Sequence, residues 1–300
     1  MNAHVLLKDR FIRLSHPLEP IRTNTEPQLQ ELSDIQVVVY DFYGTLFISG
    51  VGDIGIDDGS SDSGLLLEAL NSSGLETTSK EAGTRGYGMY NNVVAGEMKK
   101  LQQKGINYPE PDIRRVWKLV LDQMLAEGLI ANPAKTENCE LLSIEFETRM
   151  NPVWPTPGAA EILSYFKNRD KLQGILSNSQ FYTPIALEAL MNKSLEDLGF
   201  HPNLLHWSFE EEQKKPGISF YENFLKKLDK TSSSIQPEQV LYVGNDMLKD
   251  IYPANKVGMR TALFAGDKRS LKWRQDDSRC RNLKPDLVIT ELLQLKKCVQ

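Results

Sequence analysis

The sequence predicts an α/β protein with a doubly wound parallel sheet and an all-helical domain inserted after the first strand. Two observations predict this fold class. From residue 172 onward, short apolar strands alternate with amphipathic helices, which is typical of a parallel sheet covered on both faces. Before that part, residues 65–148 show helical periodicity without a strand.

The first 34 residues are polar, with Pro17, Pro20 and Pro27 spaced through them. They are predicted to form an extension that lies on the surface or is partly disordered. The first strand follows at residues 35–40. Its β-branched and aromatic residues are too few for a helix and too continuous for a half-exposed strand. This strand is therefore predicted to be central in the sheet.

A loop rich in Gly, Asp and Ser at residues 49–64 marks the start of the inserted part. Helices are predicted at 65–70, 87–103, 113–127 and 135–148, and a Pro-rich joint at 152–158 ends the block. A Gly-rich stretch at 83–88 is predicted to be a turn or mobile segment with Arg85 exposed. The predicted division is an extension (1–34), a core (35–50 and 152–300) and a helical domain (51–151).

The core continues with a helix at 159–166 and then alternates strands and helices. Strands are predicted at 172–176, 240–243, 261–264 and 287–289, and helices at 184–191 and 217–228. In such sheets the functional site lies at the C-terminal ends of the strands. The polar residues that follow the strands are therefore the candidates for chemistry.

Four polar motifs fall on this predicted rim. Asp41 follows the first strand, where the backbone amides of the next loop could hold an oxyanion. The other motifs are Ser177 with Asn178, Lys214 with Lys215 before Pro216, and Gly244-Asn245-Asp246 with Asp250. Each alone would be explained more simply as a turn, a helix cap or a solvated pair. Their order and shared rim predict one active site.

Residues 41–46, Asp-Phe-Tyr-Gly-Thr-Leu, resemble the nucleophile loop of the haloacid dehalogenase-like hydrolases, in the Asp-x-Tyr-Gly-Thr-Leu form of the dehalogenases themselves. The resemblance implies a Rossmann-like core with a helical cap and a covalent intermediate on Asp41. It implies that Ser177 donates a hydrogen bond to a substrate oxygen and that Lys215 neutralises nucleophile and substrate. The further implied substrate contacts are Tyr43, Gly44, Thr45 and Asn178. The implied Mg²⁺ ligands are Asp41, the backbone carbonyl of Tyr43, Asn245, Asp246 and Asp250.

Tyr43 departs from the pattern of the family's phosphatases, most of which carry an Asp there that protonates the leaving oxygen and later activates water. Such help is worth about 10²- to 10⁴-fold, and a phenol with a pKa near 10 replaces it poorly at neutral pH. Two reactions stay open. A dehalogenase would expel a halide, which needs no proton or metal; a phosphohydrolase would use Asp41 and Mg²⁺ to attack phosphorus. A third alternative is a catalytically weak binding protein on the same fold.

The charge expected at the site favours the phosphohydrolase. Asp41, Asp246 and Asp250 against Lys215 alone would leave a net charge near −2, counted from these four residues. Such a site would repel an anionic substrate unless a divalent cation were bound. The prediction is a Mg²⁺-dependent hydrolase of a small phosphorylated metabolite whose leaving group needs little protonation.

Composition narrows the partners and the compartment. The net charge of −5 gives no basic footprint for nucleic acid, and Lys268, Arg269, Lys272 and Arg274 are predicted to form a solvated surface. The three cysteines are far apart, which favours a reducing cytoplasm. No apolar run approaches the length of a membrane span. The predicted partner is a small-molecule substrate, not nucleic acid or a membrane, and the oligomeric state is not predicted.

Overall fold

The computed structural model describes residues 3–51 and 62–299. Its main sheet has six parallel strands in the order β5-β4-β1-β6-β7-β8. These strands are β1 (Val37–Tyr40), β4 (Leu172–Ser177), β5 (Phe200–Trp207), β6 (Val240–Gly244), β7 (Arg260–Phe264) and β8 (Leu287–Ile289). Two short strands, β2 (Phe47–Ser49) and β3 (Val153–Pro155), pair antiparallel beside it. The predicted α/β class with a parallel sheet is confirmed.

Strand β1 is central, and all of its residues are buried. Its Tyr40 lies opposite Ile175 of β4 and Val243 of β6. Because the three strands are parallel and in this register, their C-terminal ends meet at one edge of the sheet. The residues that follow these strands are thereby brought together.

Helices cover both faces of the sheet. Val38 and Tyr40 pack on the face covered by α6 (Ala159–Lys167), α7 (Tyr182–Met191) and α11 (Leu295–Cys298). Val37 and Val39 pack on the opposite face against α9 (Ile218–Thr231) and α10 (Tyr252–Lys256). The short helix α8 (Ser208–Glu211) follows β5. Since alternate residues of β1 enter two different cores, its continuous apolar sequence is explained.

The inserted part forms four helices: α2 (Asp62–Ser72), α3 (Glu81–Gln103), α4 (Ile113–Ala126) and α5 (Thr136–Met150). They enclose a hydrophobic cluster of their own that contains Trp117 and Leu142. Asp112 caps α4 by accepting a hydrogen bond from the Arg114 N–H. Most of the predicted loop at 49–64 lies outside the described residues. Within the described residues, no helix has the length and apolar character to cross a bilayer.

The turn predicted at residues 83–88 is wrong, because these residues lie inside α3. A Cβ atom on Gly83 would lie 2.3 Å from the Ser63 carbonyl oxygen, so this glycine permits the close approach of α2 to α3. Gly83 therefore serves the packing of α3 on α2. Arg85 is exposed, as predicted, and pairs with Glu127.

The N-terminal segment contains helix α1 (Ala3–Leu14). Leu7 and Phe11 lie four residues apart on one helix face and are buried in the same cluster as Ile144 of α5. Arg10 Nη1 lies 2.6 Å from Glu145 Oε1, also in α5. The prediction of a surface or partly disordered extension is therefore wrong for residues 3–14, since this helix is part of the packed structure.

Candidate active site

Asp41 directly follows β1 and lines a cavity at the C-terminal edge of the sheet. Its N–H donates to the Val243 carbonyl at 2.9 Å, which continues the pairing of β1 with β6. Its Oδ1 accepts a hydrogen bond from Ser177 Oγ at 2.8 Å and lies 2.7 Å from Lys215 Nζ. Within the described residues, Oδ2 has no hydrogen-bond donor. One carboxylate oxygen is thus oriented, and the other is left for the cavity.

Lys215 is held at its backbone and at its ammonium group. Its N–H donates to Asn178 Oδ1 at 2.8 Å, and Nζ donates to Asp250 Oδ1 at 2.6 Å and to the Tyr242 hydroxyl at 3.2 Å. Burial disfavours the ammonium form, but the carboxylates of Asp250 and Asp41 outweigh it and raise the pKa of Lys215. The side chain is therefore a fixed positive charge beside Asp41.

Asp250 organises the acidic loop after β6. Its Oδ2 accepts hydrogen bonds from the N–H groups of Asn245 and Asp246, both at 2.9 Å, and its Oδ1 faces Lys215. A Cβ on Gly244 would lie 2.4 Å from Asp250 Cγ, so the loop needs glycine there. Burial raises the pKa of Asp250 to about 6, although Lys215 opposes this shift. Both carboxylate oxygens are already used within the protein.

Asp246 is also fully engaged. Its Oδ1 accepts from the N–H groups of Leu248 and Lys249 at the start of a π-helical turn, Met247–Ile251. Arg274 Nη2 lies 2.6 Å from Asp246 Oδ2, and its Nε lies 3.1 Å from the same atom. The prediction that Arg274 belongs to a solvated surface is therefore wrong. Lys268 of the same cluster is exposed, as predicted.

The cavity is also lined by basic side chains that were not counted in the net charge expected from the sequence. Four of its lining residues are lysines and four are carboxylates: Lys214, Lys215, Lys249, Lys272, Asp41, Glu110, Asp246 and Asp250. The expected net charge near −2 is wrong, because lysines from three separate segments converge here. For the same reason Lys272 does not belong to the predicted solvated surface. A balanced cavity repels an anion less than a site with a net charge of −2 would.

Tyr43 lines the same cavity, and its hydroxyl lies 3.0 Å from Thr183 Oγ1. Burial, with the nearby carboxylates of Glu147 and Asp41, raises the pKa of Tyr43 well above its ordinary value. The phenol therefore remains protonated throughout the neutral range. This agrees with the expectation that it replaces an acid-base aspartate poorly.

Gly44 and Thr45 are placed in the packing of the loop and are not among the cavity-lining residues. Gly44 has φ +76°, and a Cβ there would lie 2.5 Å from Ser270 Cβ. Thr45 Oγ1 donates to Asn245 Oδ1 at 3.1 Å. The amides of residues 44–47 donate to carbonyls within the loop, and the Phe42 amide donates to Ser177 Oγ at 3.4 Å. The Tyr43 amide is therefore the candidate donor to a substrate among the described residues 42–47. Contact of Gly44 and Thr45 with a substrate stays a prediction.

Of the five residues predicted to bind Mg²⁺, three keep an oxygen available: Asp41 (Oδ2), Tyr43 (backbone carbonyl) and Asn245 (Oδ1, with one donor). Among the described residues, no group of three or more His, Cys, Asp or Glu is placed to hold a metal. Mg²⁺ is commonly bound by one or two carboxylates together with waters and substrate phosphates. The residues therefore fit a Mg²⁺ ion held jointly with an anionic substrate.

Two further residues that line the cavity were not predicted from the sequence. Glu110, in the connection between α3 and α4, and Tyr182 of α7 line it. Gln180 Nε2 donates to Glu110 Oε1 at 3.2 Å, and Lys214 Nζ lies 3.4 Å from Glu110 Oε2. No local pattern marks these residues, because they reach the cavity only through the packing of the inserted helices on the core.

The chain belongs to the haloacid dehalogenase-like hydrolase family. Residues 92–264, more than half of the chain, match this family. The matched part contains Ser177, Lys215 and the acidic loop but begins after Asp41, so the proposed role of Asp41 depends on the geometry described above.

Individual relatives include both phosphatases and dehalogenases. A glyceraldehyde 3-phosphate phosphatase from Pyrococcus furiosus is 29% identical over 154 residues, which cover 51% of this chain and 58% of that protein. Among solved structures, a HAD phosphatase from Thermococcus onnurineus is 18% identical, with a TM-score of 0.50. A 2-haloacid dehalogenase from Pseudomonas syringae pv. Tomato is 16% identical, with a TM-score of 0.51. Each likeness covers 88% of this chain and 97% of the other, and at these identities they show the shared fold.

Proposed function

We propose that this chain is a Mg²⁺-dependent phosphohydrolase that transfers a phosphoryl group from a small phosphorylated metabolite to Asp41 and then to water. The observation that carries the proposal is the set of four lysines lining the cavity around Asp41. Because four carboxylates line the same cavity, a phosphate dianion would need the further positive charge of a bound Mg²⁺ ion, which the single charge of a haloacid needs less. The similarity to a phosphatase of Pyrococcus furiosus supports the same choice.

In the proposed reaction, Asp41 Oδ2 attacks phosphorus. Ser177 and Lys215 both engage Oδ1, so the carboxylate is held in one orientation while Oδ2 faces the substrate. The Lys215 ammonium offsets the repulsion between this carboxylate and the phosphate. Asp250 keeps Lys215 in place, since their side chains lie 2.6 Å apart.

Asp41, the Tyr43 carbonyl and Asn245 would hold the Mg²⁺ ion, which supplies positive charge to the transferring phosphoryl group when bound. Because Ser177 and Lys215 take Asp41 Oδ1, the metal and phosphorus would share Asp41 Oδ2, one at each of its lone pairs. The remaining predicted ligands, Asp246 and Asp250, would act indirectly, by fixing the loop that positions Asn245. A site with a single free carboxylate is expected to bind the metal weakly until the substrate phosphate completes it.

The proposed substrate is small. The cavity has a volume of about 180 Å³, below the range of about 300–1,000 Å³ typical of ligand pockets. We propose that α2–α5 form the cap over it and that Glu110, between α3 and α4, and Tyr182 of the core helix α7 select the substrate. The three cysteines are free and buried, which fits the reducing cytoplasm expected from the sequence.

A dehalogenase remains the second candidate, because Tyr43 is the residue expected in that reaction. The test is to supply purified protein, with and without Mg²⁺, with acetyl phosphate, p-nitrophenyl phosphate and 2-chloropropionate, using Asp41→Asn as the control. Metal-dependent phosphate release supports the proposal, and metal-independent halide release supports the dehalogenase. Activity unchanged in Asp41→Asn contradicts both. No turnover of any substrate supports the binding protein.

A further inference from the structure

The proposed phosphohydrolase needs a proton for its leaving oxygen, and this inference depends on that function. In phosphoryl transfer the attacking and leaving oxygens lie roughly in line with phosphorus. Because Asp41 attacks from the sheet edge, the leaving oxygen points away from the sheet, toward the inserted helices. Tyr43 does not supply the proton, since its phenol is held beside Thr183 and its pKa is raised by burial.

Glu110 reaches the cavity from the inserted part of the chain. It lines the same cavity as Asp41 and Lys215 but belongs to the connection between α3 and α4. Its side chain is 16% exposed. The two other carboxylates of the cavity besides Asp41, those of Asp246 and Asp250, have both oxygens occupied by donors. Glu110 Oε1 also accepts from Gln180 Nε2, and Oε2 lies 3.4 Å from Lys214 Nζ. What distinguishes Glu110 among the cavity carboxyls is that the inserted part of the chain carries it.

The segment that carries Glu110 is docked on the core. The Glu110 N–H donates to the Glu212 carbonyl at 3.0 Å, and the Lys214 N–H donates to the Tyr108 carbonyl at 2.8 Å. Gln180 Nε2 donates to the Pro111 carbonyl at 3.0 Å as well as to Glu110. These bonds position the carboxyl group relative to the sheet edge, which general acid catalysis requires.

The surroundings of Glu110 also suit a proton donor. Burial raises its pKa, while the ammonium of Lys214 and hydrogen bonds from Gln180 and Ser208 oppose the shift. Among the described residues, Glu147 of α5, Tyr90 of α3 and Tyr43 also interact electrostatically with Glu110. The net direction is upward, toward the range in which a carboxyl can act as an acid near neutral pH.

We propose that Glu110 is the general acid and base of this enzyme and replaces the aspartate that is missing at Tyr43. In the first step the bond from Asp41 Oδ2 to phosphorus forms while the bond from phosphorus to the leaving oxygen breaks. The Glu110 proton passes to that oxygen and gives the free alcohol. In the second step the Glu110 carboxylate takes a proton from the water that attacks phosphorus. Phosphate is released, and the Asp41 carboxylate and Glu110 carboxyl are restored.

This assignment changes the expected class of substrate. Without an acid, the enzyme would be restricted to anhydrides and activated esters, whose leaving groups depart without a proton. With Glu110 it hydrolyses alkyl monophosphates, whose alkoxide must be protonated. The leaving group is therefore the variable that reveals the role of Glu110.

The test compares Glu110→Gln with the wild-type enzyme on an alkyl monophosphate and on p-nitrophenyl phosphate, both with Mg²⁺. In Glu110→Gln we expect kcat on the alkyl ester to fall by about 10²-fold or more. The loss on the activated ester should be at least ~10-fold smaller, because its leaving group needs little proton transfer. The alkaline fall in the wild-type rate on the alkyl ester should also be absent in the variant. Glu212→Gln is the matched control, since its side chain is exposed and its backbone contacts Glu110.

Equal losses on both substrates would overturn the assignment, because a structural or binding role predicts them. The assignment would also be overturned if Glu147→Gln, and not Glu110→Gln, showed the selective loss on the alkyl ester. Wild-type turnover of p-nitrophenyl phosphate without turnover of any alkyl monophosphate would also overturn it while leaving the proposed function intact. Absence of all Mg²⁺-dependent phosphate release would contradict the proposed function itself and remove this inference with it.

Discussion

Arg274 holds Asp246 with two nitrogens, Nη2 at 2.6 Å and Nε at 3.1 Å from Oδ2. The pair changes the electrostatics of the proposed metal site. It neutralises a carboxylate that would otherwise attract Mg²⁺, and it leaves Asp41 as the single free carboxylate among the predicted ligands. In the proposed reaction, metal binding is thereby linked to the arrival of the substrate phosphate.

Arg274→Gln should strengthen Mg²⁺ binding in the absence of substrate. A unit charge about 4 Å from another contributes on the order of 1 kcal/mol even at the dielectric constant of water, which is about fivefold in Kd. Isothermal titration calorimetry measures this directly. Arg279→Gln is the control, because Arg279 pairs with Asp277 outside the cavity. An affinity that does not change in Arg274→Gln would show that Asp246 has no influence on the metal.

Lys215→Met should destabilise the fold as well as abolish activity. The substitution leaves the Asp41 and Asp250 carboxylates without their shared ammonium in a buried site, which costs about 3–5 kcal/mol. Urea denaturation measures the change in unfolding free energy. Lys214→Met, at a half-buried neighbour, should cost less than about 1 kcal/mol. Equal costs for the two variants would contradict the buried triad.

Glu147→Gln should alter how stability depends on pH. Burial raises the pKa of Glu147 from 4.5 to about 7, so the folded state binds more protons than the unfolded state between these values. The stability contributed by protonated Glu147 is present below pH 4.5 and is lost as the pH rises to 7.

The Glu147→Gln variant has no carboxyl at this position and therefore lacks this loss of stability with rising pH. Relative to wild type, it should gain up to ~3 kcal/mol between pH 4.5 and pH 7.5, at about 1.36 kcal/mol per pKa unit. Thermal unfolding across this range provides the measurement. Glu137→Gln, exposed at the start of the same helix, should show no such trend. A pH-independent difference for Glu147→Gln would mean that its carboxyl is not perturbed.

Phe11→Ala tests the packing of the N-terminal helix. Phe11 is 2% exposed, and removal of a buried phenyl ring costs about 3–5 kcal/mol. The adjacent Ile12 is 54% exposed, so Ile12→Ala should change stability by less than about 0.5 kcal/mol. Both are measured by chemical denaturation, and similar small effects would mean that α1 does not pack on α5 and α7.

The sequence predicted the elements whose burial is uniform. Strand β1 is an unbroken apolar run because both of its faces are covered, and this pattern identifies a central strand. Strand β5 was missed, since His201, Pro202 and Asn203 interrupt its apolar residues. It lies at the edge of the sheet, where such residues are tolerated. Helix α1 was missed because its buried face rests mainly on Leu7 and Phe11.

The residues of the site also divide into those that a local sequence pattern marks and those that it does not. Asp41, Ser177 and Lys215 could be named because each follows a predicted strand or precedes a predicted helix, and parallel strands bring such positions together. Arg274 and Lys272 lie in a loop with no periodicity, and Glu110 lies between two helices of the inserted part. Their approach to the cavity is set by tertiary packing, which no local pattern encodes. The charge of the site was therefore the least accurate part of the prediction.

The central claim is that Asp41 carries the phosphoryl group. The most direct measurement is to mix the enzyme with acetyl phosphate and Mg²⁺, quench with acid, and map the modified residue by peptide mass spectrometry. We expect a phosphoryl group on the peptide that contains Asp41, formed and lost at rates that account for turnover and absent in Asp41→Asn. A phosphoryl group on another residue, or turnover that persists in Asp41→Asn, would contradict the account.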